Sequence, residues 1–411
     1  MPADALKCKE CGTSYPLDAR YVCERCFGPL EVAYTAPDAT PEELKRRIQA
    51  GPLSLWRYAD FLPLRPGAGA SYPLPVGFSP LVRADRLARR LGLREVWIKT
   101  ETANPTHSFK DRVVSIAVAR AIELGFETLA CASTGNLANA VAAHAAAAGL
   151  PSYVFIPSDL EQEKILATSA YGTNIVGVKG NYDEVNRLCT ELSGEHDGWA
   201  FVNINMRPYY AEGSKTLAFE IVEQLGWELP DRVVGPIASG SLFTKVARGL
   251  REFTDAGLVR GELPAFNGAQ AEGCSPVAQA YAAGTDVCRP VRPDTIAKSL
   301  AIGNPADGPY AVELARGTGG SIDSVTDDEI RAGVRLLAET TGIFTETAGG
   351  VTTATLAKLA ERGDIDPDER VVVLITGDGL KTLDVVRDGL EVAEIAPTVD
   401  AFDSAFAGVG A

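Results

Sequence analysis

At 411 residues the chain can bury a large core, and its length favours two or three domains over one. A formal net charge of −15 excludes the basic stripe that nucleic-acid binding requires, and the acidity otherwise serves solubility. No apolar run approaches the length of a bilayer span and the opening MPADALKCKE has no signal-peptide core, so the expectation is a cytoplasmic protein with neither membrane nor nucleic-acid partner.

The first predicted element, over 1–35, is a ribbon carrying CKEC and CERC. Cys8, Cys11, Cys23 and Cys26 can offer four thiolates to one Zn²⁺, a closed and therefore structural site. The alternatives are a ribbon that has lost its metal, or a redox pair, although a redox C-x-x-C opens a helix in a βαβ unit and nothing here suggests one. Cys131, Cys189, Cys274 and Cys288 are scattered singly and read as buried thiols. Residues 36–76 follow as an arm. PEELKRRIQAG is its one helix, with Thr40 as N-cap, Pro41 in the first turn and Gly51 as the stop, and the Pro- and Gly-rich remainder reads as extended chain.

From about Leu81 the pattern alternates between strand and helix. Strands are predicted at EVWIKT, TLACAST, SYVFIP, TNIVGVKG, WAFVNIN, DRVVGPIAS, AFNGAQAEG and RVVVLITG, with Ala- and Leu-rich helices between them. Such alternation implies parallel sheets covered on both faces. The number of strands implies two α/β domains with a cleft between them: a larger one from 77–110 and 205–395, and a smaller, mobile one from 111–204. Residues 396–411 form a tail.

Five strand ends carry candidate chemistry. In NPTHSFKDRVV a lysine, Lys110, stands at the mouth of a helix, with Ser108 among the possible caps and Gly125 as the stop; open α/β sheets place ligands at such junctions. CASTGNLANA sets Ser133, Thr134, Gly135 and Asn136 at a helix N-terminus, where free N–H groups suit a carboxylate or phosphate. GPIASGSLFTK does the same with Ala238, Ser239, Gly240, Ser241 and Leu242, followed by a helix read as ending at Gly249. This segment lacks the G-x-G-x-x-G spacing, so it reads as a nest for a single phosphate. LITGDGLKT ends a strand on Thr376, with Asp378 two residues on, and VNINMRPYYAEGSKT brings Asn203, Arg207 and Tyr210 to another strand end. A reactive lysine with a phosphate nest and a second anion turn points to pyridoxal 5′-phosphate.

NPTHSFKDR, ASTGN, EGSKT, TIAKSLAIGNPADG, GIFTETAGG and TGDGLKT, in that order from about Gly77 to Thr382, resemble threonine synthase in the long form that carries an N-terminal ribbon. SFKDR and STGN are shared across fold-type II pyridoxal enzymes, whereas NPTHSFKDR with TIAKSLAIGNP is narrower. The resemblance implies that Lys110 binds the cofactor and shuttles protons, and that Asn136 bonds its phenolic oxygen. It further implies that 238–242 wrap its phosphate and that Thr376, in preference to Asp378, faces its pyridine nitrogen. Ser133, Thr134 and Asn203 are expected at the substrate, which would be O-phosphohomoserine, converted with water to threonine and phosphate by γ-elimination and then addition of water at Cβ. The chain departs from the shorter family form, which has Asn-rich turns at the nest and an arginine just before EG where this chain has Tyr210 and Ala211. Arg207 is expected to take the substrate phosphate instead, in a pocket separate from the nest. By the same resemblance the protein is expected to be a homodimer. The competing readings are a threonine dehydratase, a cysteate synthase, and a binding protein whose catalytic body has decayed.

Overall fold

The computed structural model describes residues 2–69, 72–133, 135–158, 163–180, 182–389 and 392–407. In the N-terminal ribbon, β1 (Ala3–Cys8), β2 (Ser14–Tyr15) and β3 (Leu30–Tyr34) form an antiparallel sheet in the order β2-β1-β3. The helix Pro41–Ala50 starts as its sequence requires: the Thr40 hydroxyl accepts from the Glu43 N–H, with proline in the first turn. The segment beyond it departs from the extended arm expected of its composition. It contains a 3-10 helix, Leu55–Phe61, whose Tyr58 and Phe61 are fully buried against Phe219 and Phe253. Prolines and glycines dominate the composition there, but burial of these large rings decides the conformation.

Ten further strands build two sheets: β4 (Leu81–Arg83), β5 (Glu95–Thr100), β6 (Thr128–Ala132), β7 (Ser152–Pro157), β8 (Asn174–Val178), β9 (Trp199–Phe201), β10 (Arg232–Pro236), β11 (Ala265–Ala271), β12 (Ile322–Val325) and β13 (Arg370–Ile375). The larger sheet has the order β12-β11-β10-β13-β5-β4, and the smaller is β8-β7-β6-β9. All pairs are parallel except β4 with β5. The edge strands β4 and β12 were not predicted; at three and four residues they are too short to show a period. β13 lies centrally, with Val372 opposite Val233 on one side and Trp97 on the other. Buried on both faces, it reads as the unbroken apolar run RVVVLI.

The smaller sheet shows the period-two division of a doubly covered layer. Leu129 and Cys131 face one core with Val113, Val114 and Ala117 of the helix Lys110–Glu123, while Ala130 and Ala132 face the other with Phe155 and Phe201. Three of the single cysteines are buried as expected, and Cys288 is only partly covered. Gly249 is no helix stop. The helix Ser241–Asp255 runs through it, and a Cβ there would come within 2.8 Å of the Ala218 side chain, so this glycine lets the helix pack closely on Lys215–Gln224.

Four buried charges join these parts. Arg112 donates to Glu101 at 2.5 Å and to Glu220 at 2.5 and 2.7 Å, and Lys99 Nζ donates to Glu220 at 2.6 Å. They tie the Lys110 helix to β5 and to the helix Lys215–Gln224. Among the described residues no helix is long and apolar enough to cross a membrane.

Candidate active site

The loop before Lys110 is fixed from within by its neighbours. The buried Asp111 accepts from the Thr106 N–H at 2.8 Å and from its hydroxyl at 2.9 Å, and His144 Nε2 lies 2.9 Å from the same carboxylate. Ser108 is not the N-cap; Phe109 is, without a side-chain bond, and Asp111 does the work of holding the turn. Beyond it, the Phe109 N–H donates to Thr376 O at 2.9 Å, so the strand end of β13 and the Lys110 turn are one unit. With Asp111 and Arg112 both anchored inward, Lys110 is left half-exposed. Its Nζ donates to the Tyr210 hydroxyl at 2.9 Å and sits 4.6 Å from the centroid of the Phe109 ring.

Asn136, Thr376 and Asp378 gather around this turn. Asn136 starts the helix Asn136–Ala148, and its Nδ2 donates to both oxygens of Glu346, at 3.2 and 2.9 Å. Thr376 is buried at the end of β13 and helps hold the same carboxyl down. Asp378 is engaged in its own turn, accepting from the Leu380 N–H at 2.8 Å. Ser133 is half-buried at the end of β6, its hydroxyl 3.4 Å from the Gly135 N–H. Thr134 lies outside the described residues.

The Ala238–Leu242 turn opens the helix Ser241–Asp255; the Ser241 N–H donates to the Ser239 hydroxyl at 3.4 Å, and a helix N-terminus of this kind suits an anion. Gly240 has φ +97°, a conformation few side chains tolerate, and a Cβ on it would strike the carbonyl of Asp307 at 2.6 Å. Asp307 donates its N–H to Ser239 O at 2.8 Å and accepts from Arg207 Nη2 at 3.0 Å. Arg207 is therefore not set apart from the nest as its sequence position suggested. β9 ends at Phe201, a turn follows, and Arg207 is the first residue of a short helix, Arg207–Glu212, bonded to the residue that backs the nest. Asn203 sits in that turn with its Oδ1 buried and without a hydrogen-bond partner.

Sequence reasoning passed over three residues here. Glu346, Lys381 and Asp307 all fall inside motifs quoted above, and the two that flank Asn136 contact it from both sides: Lys381 Nζ donates to Asn136 Oδ1 at 2.7 Å and to Thr106 O at 2.6 Å. A buried acid in GIFTETAGG and a lysine in TGDGLKT were the available signals. Burial pushes the Glu346 carboxyl above its ordinary range, against the pull of Asn136, Lys381, Lys110 and Thr376. Burial likewise lowers the Lys381 ammonium, opposed by Glu346, Asp111 and Asp378.

The donor set fits pyridoxal phosphate. An amine stands on one wall and a left-handed glycine turn at a helix N-terminus on another, while the Ser108 hydroxyl, two residues before Lys110, is buried without a partner. In the ribbon the four cysteine sulfurs lie within 4.8 Å of one another, with Cys8–Cys26 at 3.5 Å and Cys11–Cys23 at 3.6 Å. Four thiolates about 2.3 Å from a central Zn²⁺ require such crowding. The ribbon is packed on the catalytic body: Leu6, Cys8, Cys23, Leu30 and Val32 share one core with Val113 and Val114 of the Lys110 helix.

A lysine amine at the carboxyl edge of a parallel sheet, in a fold that also opens a helix on a left-handed glycine turn, matches a class of cofactor-dependent α/β enzyme. The family model for pyridoxal-phosphate dependent enzymes matches residues 72–377. The chain is 38% identical over 381 residues to threonine synthase of Methanocaldococcus jannaschii, covering 92% of this chain and 93% of that one. It is 37% identical over 399 residues to threonine synthase of Methanosarcina acetivorans, covering 96% of each. The processed form of threonine deaminase isoform 2 from Solanum lycopersicum matches at a TM-score of 0.62 and 24% identity, over 86% of this chain and 94% of that one, a likeness of fold alone. The chain belongs to the pyridoxal-phosphate dependent enzymes and, among them, to the threonine synthases.

Proposed function

We propose that this enzyme converts O-phosphohomoserine and water to threonine and phosphate. The observation that supports the reading is the placement of Lys110: its amine lies 2.9 Å from the Tyr210 hydroxyl, at the start of a helix whose next two residues, Asp111 and Arg112, are anchored inward. Bound pyridoxal phosphate would supply an electron sink for negative charge developing on the substrate carbons.

The protein's own groups do the rest. Lys110 would hold the cofactor through its ε-amine, and the same amine is the base and acid that moves protons at the substrate's Cα, Cβ and Cγ. The hydroxyl of Tyr210, 2.9 Å from that amine, orients it. Residues 238–242 would hold the cofactor phosphate, Asn136 would serve its phenolic oxygen and Thr376 its pyridine nitrogen. Asp378 is less suited to the last role because its carboxylate is occupied by the Leu380 N–H. Ser133 and Thr134 take the substrate carboxylate, and Asn203 and Arg207 its phosphate. The protein works in the cytoplasm as a homodimer, with zinc in the ribbon.

The test is to assay phosphate release and threonine formation from O-phosphohomoserine with the purified protein. Equal amounts of both products are expected. Deamination of threonine with no reaction of the phosphate ester would overturn the reading in favour of a dehydratase. Borohydride reduction and peptide mapping should place the pyridoxyl group on Lys110, and label on Lys99, Lys215 or Lys381 would overturn that assignment.

A further inference from the structure

Glu346 is a buried acid with an unusual setting. It precedes the helix Thr347–Glu361, is 4% exposed, and lies directly over the end of β13. Its N–H donates to Gly377 O at 3.1 Å, and a Cβ on Gly377 would lie 2.5 Å from Glu346 Oε1. The strand end thus lacks a side chain where the carboxyl sits. An acid taken out of water needs partners to justify it, and this one spends both oxygens on the Asn136 amide nitrogen. On the opposite side of that amide, Lys381 donates to the oxygen.

An asparagine amide can be turned over at little cost unless its neighbours differ in kind. Here they differ completely. A lysine can only donate and a carboxylate accepts, so reversing the amide would set two donors together on one side and two acceptors on the other. The nitrogen carries two protons, and with one on Glu346 the second remains to donate into the site.

We propose that Glu346 and Lys381 are positioning residues that lock the Asn136 amide with its nitrogen presented to the cofactor oxygen. The proposal rests on the reading that Asn136 meets that oxygen. Lys381 also grips Thr106 O, in the loop that Asp111 anchors beside Lys110, so the same clamp sets the distance between Asn136 and the reactive amine.

The experiment uses the full chain with Asn136→Ala, Glu346→Ala, Glu346→Gln, Lys381→Met and the Asn136→Ala/Glu346→Ala double variant. The readouts are the visible absorbance maximum of the bound cofactor and its dissociation constant. Asn136→Ala is expected to shift the band and weaken cofactor binding about tenfold, the size expected for a hydrogen bond to a charged group. Glu346→Ala and Lys381→Met should shift the band the same way. Glu346→Gln should return it toward the parent position, because its amide oxygen still accepts from Asn136. The double variant should be no worse than Asn136→Ala alone. If Asn136→Ala shifts the band while Lys381→Met and Glu346→Ala do not, or if the losses add, the clamp is wrong although the Asn136 reading survives. If Asn136→Ala leaves band and affinity unchanged, that reading falls and the clamp with it. Should Glu346→Ala fail to fold, Lys381→Met and Glu346→Gln decide alone: an unshifted Lys381→Met overturns the proposal, as does a Glu346→Gln shifted as far as Asn136→Ala.

Discussion

Replacing Arg207 by alanine should weaken both substrate and cofactor, and the second effect follows only from the structure. Arg207 Nη2 stands 3.0 Å from Asp307 Oδ2, with side-chain exposures of 25% and 12%. Asp307 is bonded through its N–H to Ser239 O, and its carbonyl lies against Gly240. A carboxylate left without its arginine would therefore remain beside the turn proposed to take the cofactor phosphate. Truncating one member of a buried charge pair costs about 2–5 kcal/mol, and partial exposure of this arginine argues for the lower end, about 2 kcal/mol. That corresponds to roughly a 30-fold change in an equilibrium constant. The dissociation constant of pyridoxal phosphate, from titration of its absorbance, should rise by about tenfold or more. In steady-state assays kcat/KM for O-phosphohomoserine should fall by at least about tenfold. Asp307→Asn in the same chain should restore cofactor affinity, because no uncompensated charge remains, but not kcat/KM. Unchanged cofactor affinity in Arg207→Ala would refute the coupling through Asp307. Unchanged kcat/KM would remove Arg207 from the substrate phosphate.

Metal analysis should find about one zinc per chain, as a closed four-thiolate site requires. Cys11→Ser should lower the melting temperature, since the ribbon core is continuous with the Lys110 helix, while turnover well below that temperature is largely kept; near-total loss of turnover in a folded variant would place the ribbon in the active site. Gly249→Ala should destabilise by about 1–3 kcal/mol in denaturant titration, because overpacking against Ala218 outweighs the helix propensity gained, and unchanged or higher stability would refute the close contact. Acid should unfold the protein through Glu220. Burial alone would raise this carboxyl, but Arg112 and Lys99 outweigh it and hold it at about 2 against an ordinary 4.5. Its contribution is complete above the ordinary value and is lost as pH falls through the folded one, so the melting temperature should drop between pH 4.5 and 2. A melting temperature that stays flat across that range would argue against the cluster.

What the sequence determined by itself was local. Apolar runs such as RVVVLI are buried on both faces and declare a central parallel strand without reference to any neighbour. Thr40 with Pro41, and the glycine turns after β6, β10 and β13, act within a few residues of themselves, so these turns and caps were legible where they stand. The paired C-x-x-C knuckles likewise carry their own spacing. Only the tertiary structure decided the partnerships. Glu346 is 210 residues from Asn136, and Lys381 is 245 from it, so no spacing rule could join them. Arg207 and Asp307 are 100 apart, and the pair ties an arginine expected in a separate pocket to the residue that backs the Gly240 turn. The same holds for Gly249, whose missing side chain looks like a helix stop in sequence and is a helix-packing contact in space. Secondary structure follows from residues near in the chain, whereas burial brings distant charges and amides into a low-dielectric interior, where each must find a partner of complementary kind.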